Sequence, residues 1–169
     1  MIEKATLADV AELNVLINSA YRGDSSKKGW TTEADLLGGI RTDEESLAEL
    51  INKKNATILK YTEDGKIIGS VYLEKQDDKI YLGMLTVSPE LQGGGVGKKL
   101  MQAAEDFAKE SGIAKIAMTV ISVRKELIEY YERRGYERTG ETKPFPMDDP
   151  KFGLPKQFLE FIAMEKNVA

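Results

Sequence analysis

The sequence has 169 residues, 41% apolar and 31% charged, with 28 acidic against 24 basic side chains and a net charge of −4. That length suits one domain with a real core, and the acidic balance argues against a nucleic-acid binder. Cysteine and histidine are both absent, which excludes disulfides, thiolate or imidazole catalysis and the usual zinc ligand sets.

Ile2 to Ala5 reads as a short strand. Thr6 can cap the helix that follows, which carries Leu7, Val10, Leu13, Ile17 and Tyr21 on one face. The stretch RGDSSKKGWTTEADLLGG is polar and punctuated by glycine, so it reads as a loop with at most one helical turn from Thr32. Thr42, with Glu45 three residues on, has the capping-box pattern and opens a helix through Leu50 and Ile51.

Three strands follow: ATILKYT, KIIGSVYLEK and KIYLGMLTV. EDG and QDD join them as hairpin turns, and Pro89 stops the third strand's ladder. From about Gly95 a helix places Val96, Leu100, Ala103, Ala104 and Phe107 on one face and ends near Gly112. Then come a strand AKIAMTVI, a helix from Arg124 to Arg134 stopped by Gly135, and a strand-like YERTGET. KPFPMDDPKFGLP reads as a loop before a last strand, QFLEFIAME. No repeat or linker is visible, so residues 1–169 are expected to form a single domain. Hairpins in the first half and crossovers in the second predict a mixed α/β (α+β) sheet flanked by helices.

No apolar run approaches the ~18 residues needed to cross a bilayer. Met1-Ile2-Glu3-Lys4 does not read as a signal peptide, so the expected compartment is the cytoplasm. The basic pairs Lys27-Lys28, Lys98-Lys99, Arg124-Lys125 and Arg133-Arg134 lie among acidic residues and read as solvated faces. Catalysis, if present, has to use carboxylates, tyrosines, lysines, backbone amides or water.

PELQGGGVGKKL places a glycine-rich turn between a strand and a helix, a combination that leaves outward amides and a favourable dipole for an anion. Walker A fails, because three residues rather than four separate Gly93 from Gly97 and Lys99 replaces the Ser or Thr. A dinucleotide-binding G-x-G-x-x-G fails at Lys98. What remains is Q-x-x-G-x-G at Gln92, Gly95 and Gly97, which a purely structural loop would also satisfy.

The longer stretch LTVSPELQGGGVGKKLM resembles the acetyl-CoA-binding motif of the GNAT N-acetyltransferases, and IEYYERRGYE resembles that family's second signature, with Tyr131 four residues before Gly135. The element order agrees over nearly the whole chain. The resemblance implies a mostly antiparallel sheet of about seven strands with about four helices, splayed between the fourth and fifth strands. It implies acetyl-CoA as co-substrate and no metal. The amides of Gln92, Gly93, Gly94, Gly95, Val96, Gly97 and Lys98 would face the pyrophosphate, and the pantetheine arm would run along Leu85, Thr86 and Val87. Many relatives carry Asn where Arg124 stands, so Arg124 is expected either to pair with a cofactor phosphate or to cap its helix. Some place a glutamate base where Tyr81 stands.

The implied reaction is direct acetyl transfer to an amine in a ternary complex. Deprotonating a lysine-like amine of pKa ~10.4 at pH 7 costs about 4.6 kcal/mol, so an acidic group or water has to take the proton. The resemblance gives Tyr131 the role of general acid toward the leaving thiolate and an amide near Leu85 that of oxyanion donor; the other reading of Tyr131 is a core aromatic beside Tyr130. On the acceptor side, loops 22–35 and 143–155 supply Trp30, Glu33, Asp35, Asp148 and Asp149. Trp30 and Glu33 are the expected amine-binding residues, with Glu33 also the candidate base. The expected partner is a small-molecule or peptide amine, with neither nucleic acid nor membrane, and homodimer formation is left open. The alternative reading is a non-catalytic acyl-CoA-binding module of the same fold.

Overall fold

The computed structural model describes residues 1–21, 37–38, 42–91, 94–144, 154–155 and 160–168. Seven strands form one sheet: β1 (Ile2–Lys4), β2 (Ala56–Glu63), β3 (Lys66–Gln76), β4 (Lys79–Val87), β5 (Lys115–Ile121), β6 (Glu137–Pro144) and β7 (Glu160–Asn167). Their order across the sheet is β1-β2-β3-β4-β5-β7-β6. Every neighbouring pair is antiparallel except β4 and β5. The four described helices are α1 (Val10–Tyr21), α2 (Glu44–Asn52), α3 (Val96–Glu110) and α4 (Lys125–Arg133). This is the mixed, mostly antiparallel α/β sheet expected. A two-residue antiparallel pairing of Leu37–Gly38 with Leu154–Pro155 is an addition that no local pattern announced.

Hairpins build the first half because the turn residues permit them. Asp64 and Gly65 both have positive φ (53° and 75°), the two-residue geometry that matches strand twist. The parallel β4–β5 pair needs a crossover, and α3 provides it on one face of the sheet. There Leu100, Met101, Ala104 and Ala108 bury against Leu73, Ile80, Leu82 and Ile116. On the other face α1 and α2 bury Leu13, Ile17, Ala20 and Leu47 against Ile58, Ile67 and Tyr72. Each large aliphatic side chain so buried contributes about 1.5–3 kcal/mol.

Several local expectations change. Leu7 is 53% exposed, because a 3-10 turn (Leu7–Asp9) precedes α1 and takes it off the apolar stripe. At that turn Asp9 reaches back, and the Thr6 amide donates to its Oδ2 at 2.8 Å. The cap of α2 is Asp43, not Thr42: Asp43 Oδ1 accepts from the Ser46 amide at 2.7 Å. Thr42 is instead buried against α1, where its amide and carbonyl bond the Asn18 side chain at 3.1 and 3.0 Å. On α3, Ala103 and Phe107 lie at the edge of the core, and Met101 and Ala108 take the buried positions. No helix among the described residues is long and apolar enough to cross a membrane.

Candidate active site

β4 and β5 pair only at Ile80↔Ile116 and Tyr81↔Ala117, after which they diverge. The divergence starts beside an irregularity in β4. Its register with β3 slips between Ser70 and Tyr72, and Met84 takes φ 48°, a left-handed backbone that a non-glycine residue rarely adopts. The result is a cleft of ≈ 120 Å³ lined by Gly83 and Leu85 from β4, Thr119 from β5, Tyr21 from α1, and Arg124 and Tyr131 at α4. That is several times the volume one water needs.

Tyr131 is only 6% exposed. It packs edge-on against Tyr130 and Tyr136, with centroids 5.5 and 6.0 Å away. Burial drives its phenol well above the usual tyrosine range, with Tyr21, Tyr130 and Tyr136 adding to the rise, while the Arg124 charge pulls the other way. Tyr131 is therefore both core and cleft, and its phenol stays protonated at neutral pH. Arg124 occupies the N-cap position of α4 by its backbone, yet its side chain makes no capping bond and instead lines the cleft.

At one end of this region α3 begins at Val96, with Gly95 as N-cap in the left-handed conformation (φ 84°). A Cβ on Gly95 would meet none of the described residues within 4 Å. Gly97 differs: its Cβ would come within 3.1 Å of the Tyr130 hydroxyl and 3.5 Å of Val87 Cγ2. Gly97 is thus a packing glycine that seats α3 against α4 and β4. The first-turn amides of Gly95, Val96, Gly97 and Lys98 have no acceptor within the helix, and Lys98 is exposed. Gly69 on β3 completes the seat, because a Cβ there would approach Val96 Cγ1 to 2.9 Å and the Thr86 carbonyl oxygen to 3.0 Å.

Leu85, Thr86 and Val87 are buried at the end of β4, with Thr86 opposite Ser70 and Val87 opposite Gly69. The structure thus groups Leu85, Arg124 and Tyr131 at the cleft and Gly94 to Lys98 at the adjoining helix start. Gln92, Gly93, Trp30, Glu33, Asp35, Asp148 and Asp149 lie outside the described residues. Among the described residues no carboxylate lines the cleft, and Tyr81 does. Tyr81 lies over Gly83, where a Cβ would come 3.0 Å from its ring. Sequence reasoning placed Tyr21 on the apolar stripe of α1 without assigning it a role. Its hydroxyl donates to the Leu85 carbonyl inside the cleft. The available signal was that it is the one stripe residue with a hydroxyl, and buried tyrosine hydroxyls usually find a partner.

A family model described as an acetyltransferase (GNAT) domain matches residues 33–145. Among curated proteins, the chain is similar to N-acetyltransferase 8B of Homo sapiens, 23% identical over 124 residues that cover 69% of this chain and 54% of that protein. The match therefore spans little more than half of that relative's length. Among solved structures, a ribosomal-protein-alanine N-acetyltransferase from Brucella melitensis aligns with a TM-score of 0.71 at 20% identity, covering 99% of both chains. PaiA N-acetyltransferase from Thermoplasma acidophilum, in complex with coenzyme A, aligns with a TM-score of 0.70 at 20% identity over 99% of this chain and 98% of that one. At these identities the structural likeness is one of fold.

Proposed function

The chain belongs to the GNAT acetyltransferase family, and on that premise we propose that it transfers the acetyl group of acetyl-CoA directly to a primary amine of a small molecule or peptide. The observation that carries this reading is the cleft where β4 and β5 part, which holds the Tyr131 phenol and the Arg124 side chain beside Leu85. The start of α3 suits a phosphate group, because first-turn amides without an acceptor inside the helix and the helix dipole favour an anion there, and a Cβ on Gly95 would meet no described residue within 4 Å.

In this reading Gln92 to Lys98 hold the pyrophosphate by their amides, and Leu85 to Val87 line the arm that leads to the cleft. When bound, acetyl-CoA supplies an acyl thioester whose C–S bond is exchanged for a C–N bond to the incoming amine. Leu85 offers its N–H to the negative charge that develops on the carbonyl oxygen, a contribution of roughly 2.7–4 kcal/mol for a donor of this kind. Tyr131 acts as the acid toward the departing sulfur, chiefly through a hydrogen bond from its phenol, and the nearby Arg124 charge makes that phenol a better donor. With no carboxylate among the described cleft residues, Glu33 or water takes the ammonium proton, and Trp30 and Glu33 hold the amine.

Thermal unfolding with and without acetyl-CoA, followed by assay of free thiol with a panel of amines, tests the reading. The wild type is expected to melt higher with acetyl-CoA and to release coenzyme A with at least one amine. Gly95→Glu is expected to lose the ligand-induced shift, since a carboxylate beside the first-turn amides of α3 would compete with and repel a phosphate. Equal shifts in mutant and wild type would remove the anion site, and stabilisation without thiol release would mark a binding module.

A further inference from the structure

We propose that Tyr21, at the C-terminal end of α1, is a positioning residue that aims the Leu85 N–H into the cleft. This inference rests on the functional reading above and adds a residue to it. Successive residues of a strand direct their N–H and C=O groups to opposite neighbours. The Ser88 amide donates to the Ile68 carbonyl at 2.8 Å, so Ser88 and, two residues back, Thr86 face β3. Leu85 then presents both its N–H and its C=O on the cleft side, where β5 has already diverged.

Two side chains hold the peptide groups on either side of the Leu85 Cα. The Tyr21 hydroxyl donates to the Leu85 carbonyl. The Thr86 hydroxyl donates to the Met84 carbonyl at 2.9 Å, and that carbonyl shares a peptide plane with the Leu85 N–H. These bonds restrain a stretch that would otherwise be loosely determined, because Met84 is left-handed and the β3–β4 register slips beside it. Tyr21 is 9% exposed, so water competes poorly for the bond. The Leu85 carbonyl keeps a second lone pair, so occupation by Tyr21 does not bar a ligand from that edge. A donor pre-aimed in this way acts on developing charge without having to reorganise.

The test uses Tyr21→Phe and, as a second variant of near-identical shape, Thr86→Val. Acetyl-CoA labelled with ¹³C at the acetyl carbonyl is bound to each protein, and the carbonyl stretch is read by isotope-edited infrared difference spectroscopy. In the wild type the stretch is expected below that of free acetyl-CoA, and both variants should move it back toward the free value. Each variant should also lower kcat by about 10-fold while the acetyl-CoA KM stays within about 2-fold, a split that loss of packing alone would not produce. If Tyr21→Phe does not fold, Thr86→Val carries the same two readouts. An unchanged stretch with kcat within about 2-fold of wild type overturns the proposal. A wild type that turns over yet shows no carbonyl shift overturns it while leaving the functional reading standing. A wild type that does not bind acetyl-CoA ends both.

Discussion

At Tyr131, burial and charge act in opposite directions on one hydroxyl. The apolar surroundings raise its pKa far more than Arg124 lowers it. Full proton transfer to a thiolate of pKa ~8.5 is therefore uphill by more than about 2 kcal/mol, and a strong hydrogen bond to sulfur is the more economical contribution. Tyr131→Phe should lower kcat by roughly 10²-fold with little change in the acetyl-CoA KM, as steady-state kinetics would show. A kcat within about 2-fold of wild type would reduce Tyr131 to a packing residue. Because the phenol titrates above its ordinary range, the rate should show no loss from Tyr131 ionisation between pH 7 and about 10. Tyr131 could be picked out from its spacing to Gly135 and its place in a motif. Tyr21 could not, because its partner carbonyl lies 64 residues away and its helical spacing looks like core. The roles of Gly95 and Gly97 were also merged by their proximity. Only the neighbours in space show that a Cβ on one glycine meets no described residue and on the other meets Tyr130 and Val87.

Among the elements, α2 is tied to the sheet by a polar knot at Glu74 on β3. Its carboxylate accepts from Lys53 at 2.6 Å, Tyr72 at 2.5 Å and Gln76 at 2.7 Å. Those three donors, Lys53 foremost, hold Glu74 down to about 2, against an ordinary 4.5. A carboxyl depressed on folding adds stability above its unfolded pKa, and that contribution is lost as pH falls from about 4.5 towards 2. Glu74→Gln should therefore cost roughly 1–2 kcal/mol at pH 7, a figure discounted because the Lys53 side chain is half-exposed. The difference in urea midpoint between mutant and wild type should shrink steadily below pH 4.5 and be nearly gone at about pH 2. A difference independent of pH would assign the effect to shape rather than charge. The elements themselves were legible wherever a local signal set them, as in the hairpin at Asp64–Gly65 and the long stripe of α3. The α2 cap was misplaced by one residue because Thr42 and Asp43 are both good caps, and only the clasp of Thr42 by Asn18 decides between them. The need for glycine at residue 69 arises from α3, which follows later in the chain, and strand-level reading has no access to that.

For the whole molecule, the absence of cysteine and histidine leaves no evident residue to carry the acetyl group. Both substrates should then meet in one complex, and initial-rate lines at varied acetyl-CoA and amine should intersect. Parallel lines would require another nucleophile. The sheet has a consequence for how that complex assembles. Among the described residues of the seven-stranded sheet, two residue pairs join the half formed by β1 to β4 to the half formed by β5 to β7. Beyond those pairs one apolar cluster spans the seam, with Leu82 and Leu85 on one side and Met118, Val120 and Ile128 on the other, and the separate pairing of Leu37–Gly38 with Leu154–Pro155 also bridges the two parts of the chain. Backbone bonds resist shear along a strand, and the line between β4 and β5 has fewer of them than the line between β3 and β4. A molecule seated between the halves would act as a splint, and the conformational entropy of stiffening the seam would fall on whichever ligand arrives first. In the proposed ternary complex, acetyl-CoA should then lower the Kd of the amine and the amine that of acetyl-CoA by the same factor, which titration calorimetry would show. Independent affinities would mean that the seam does not stiffen.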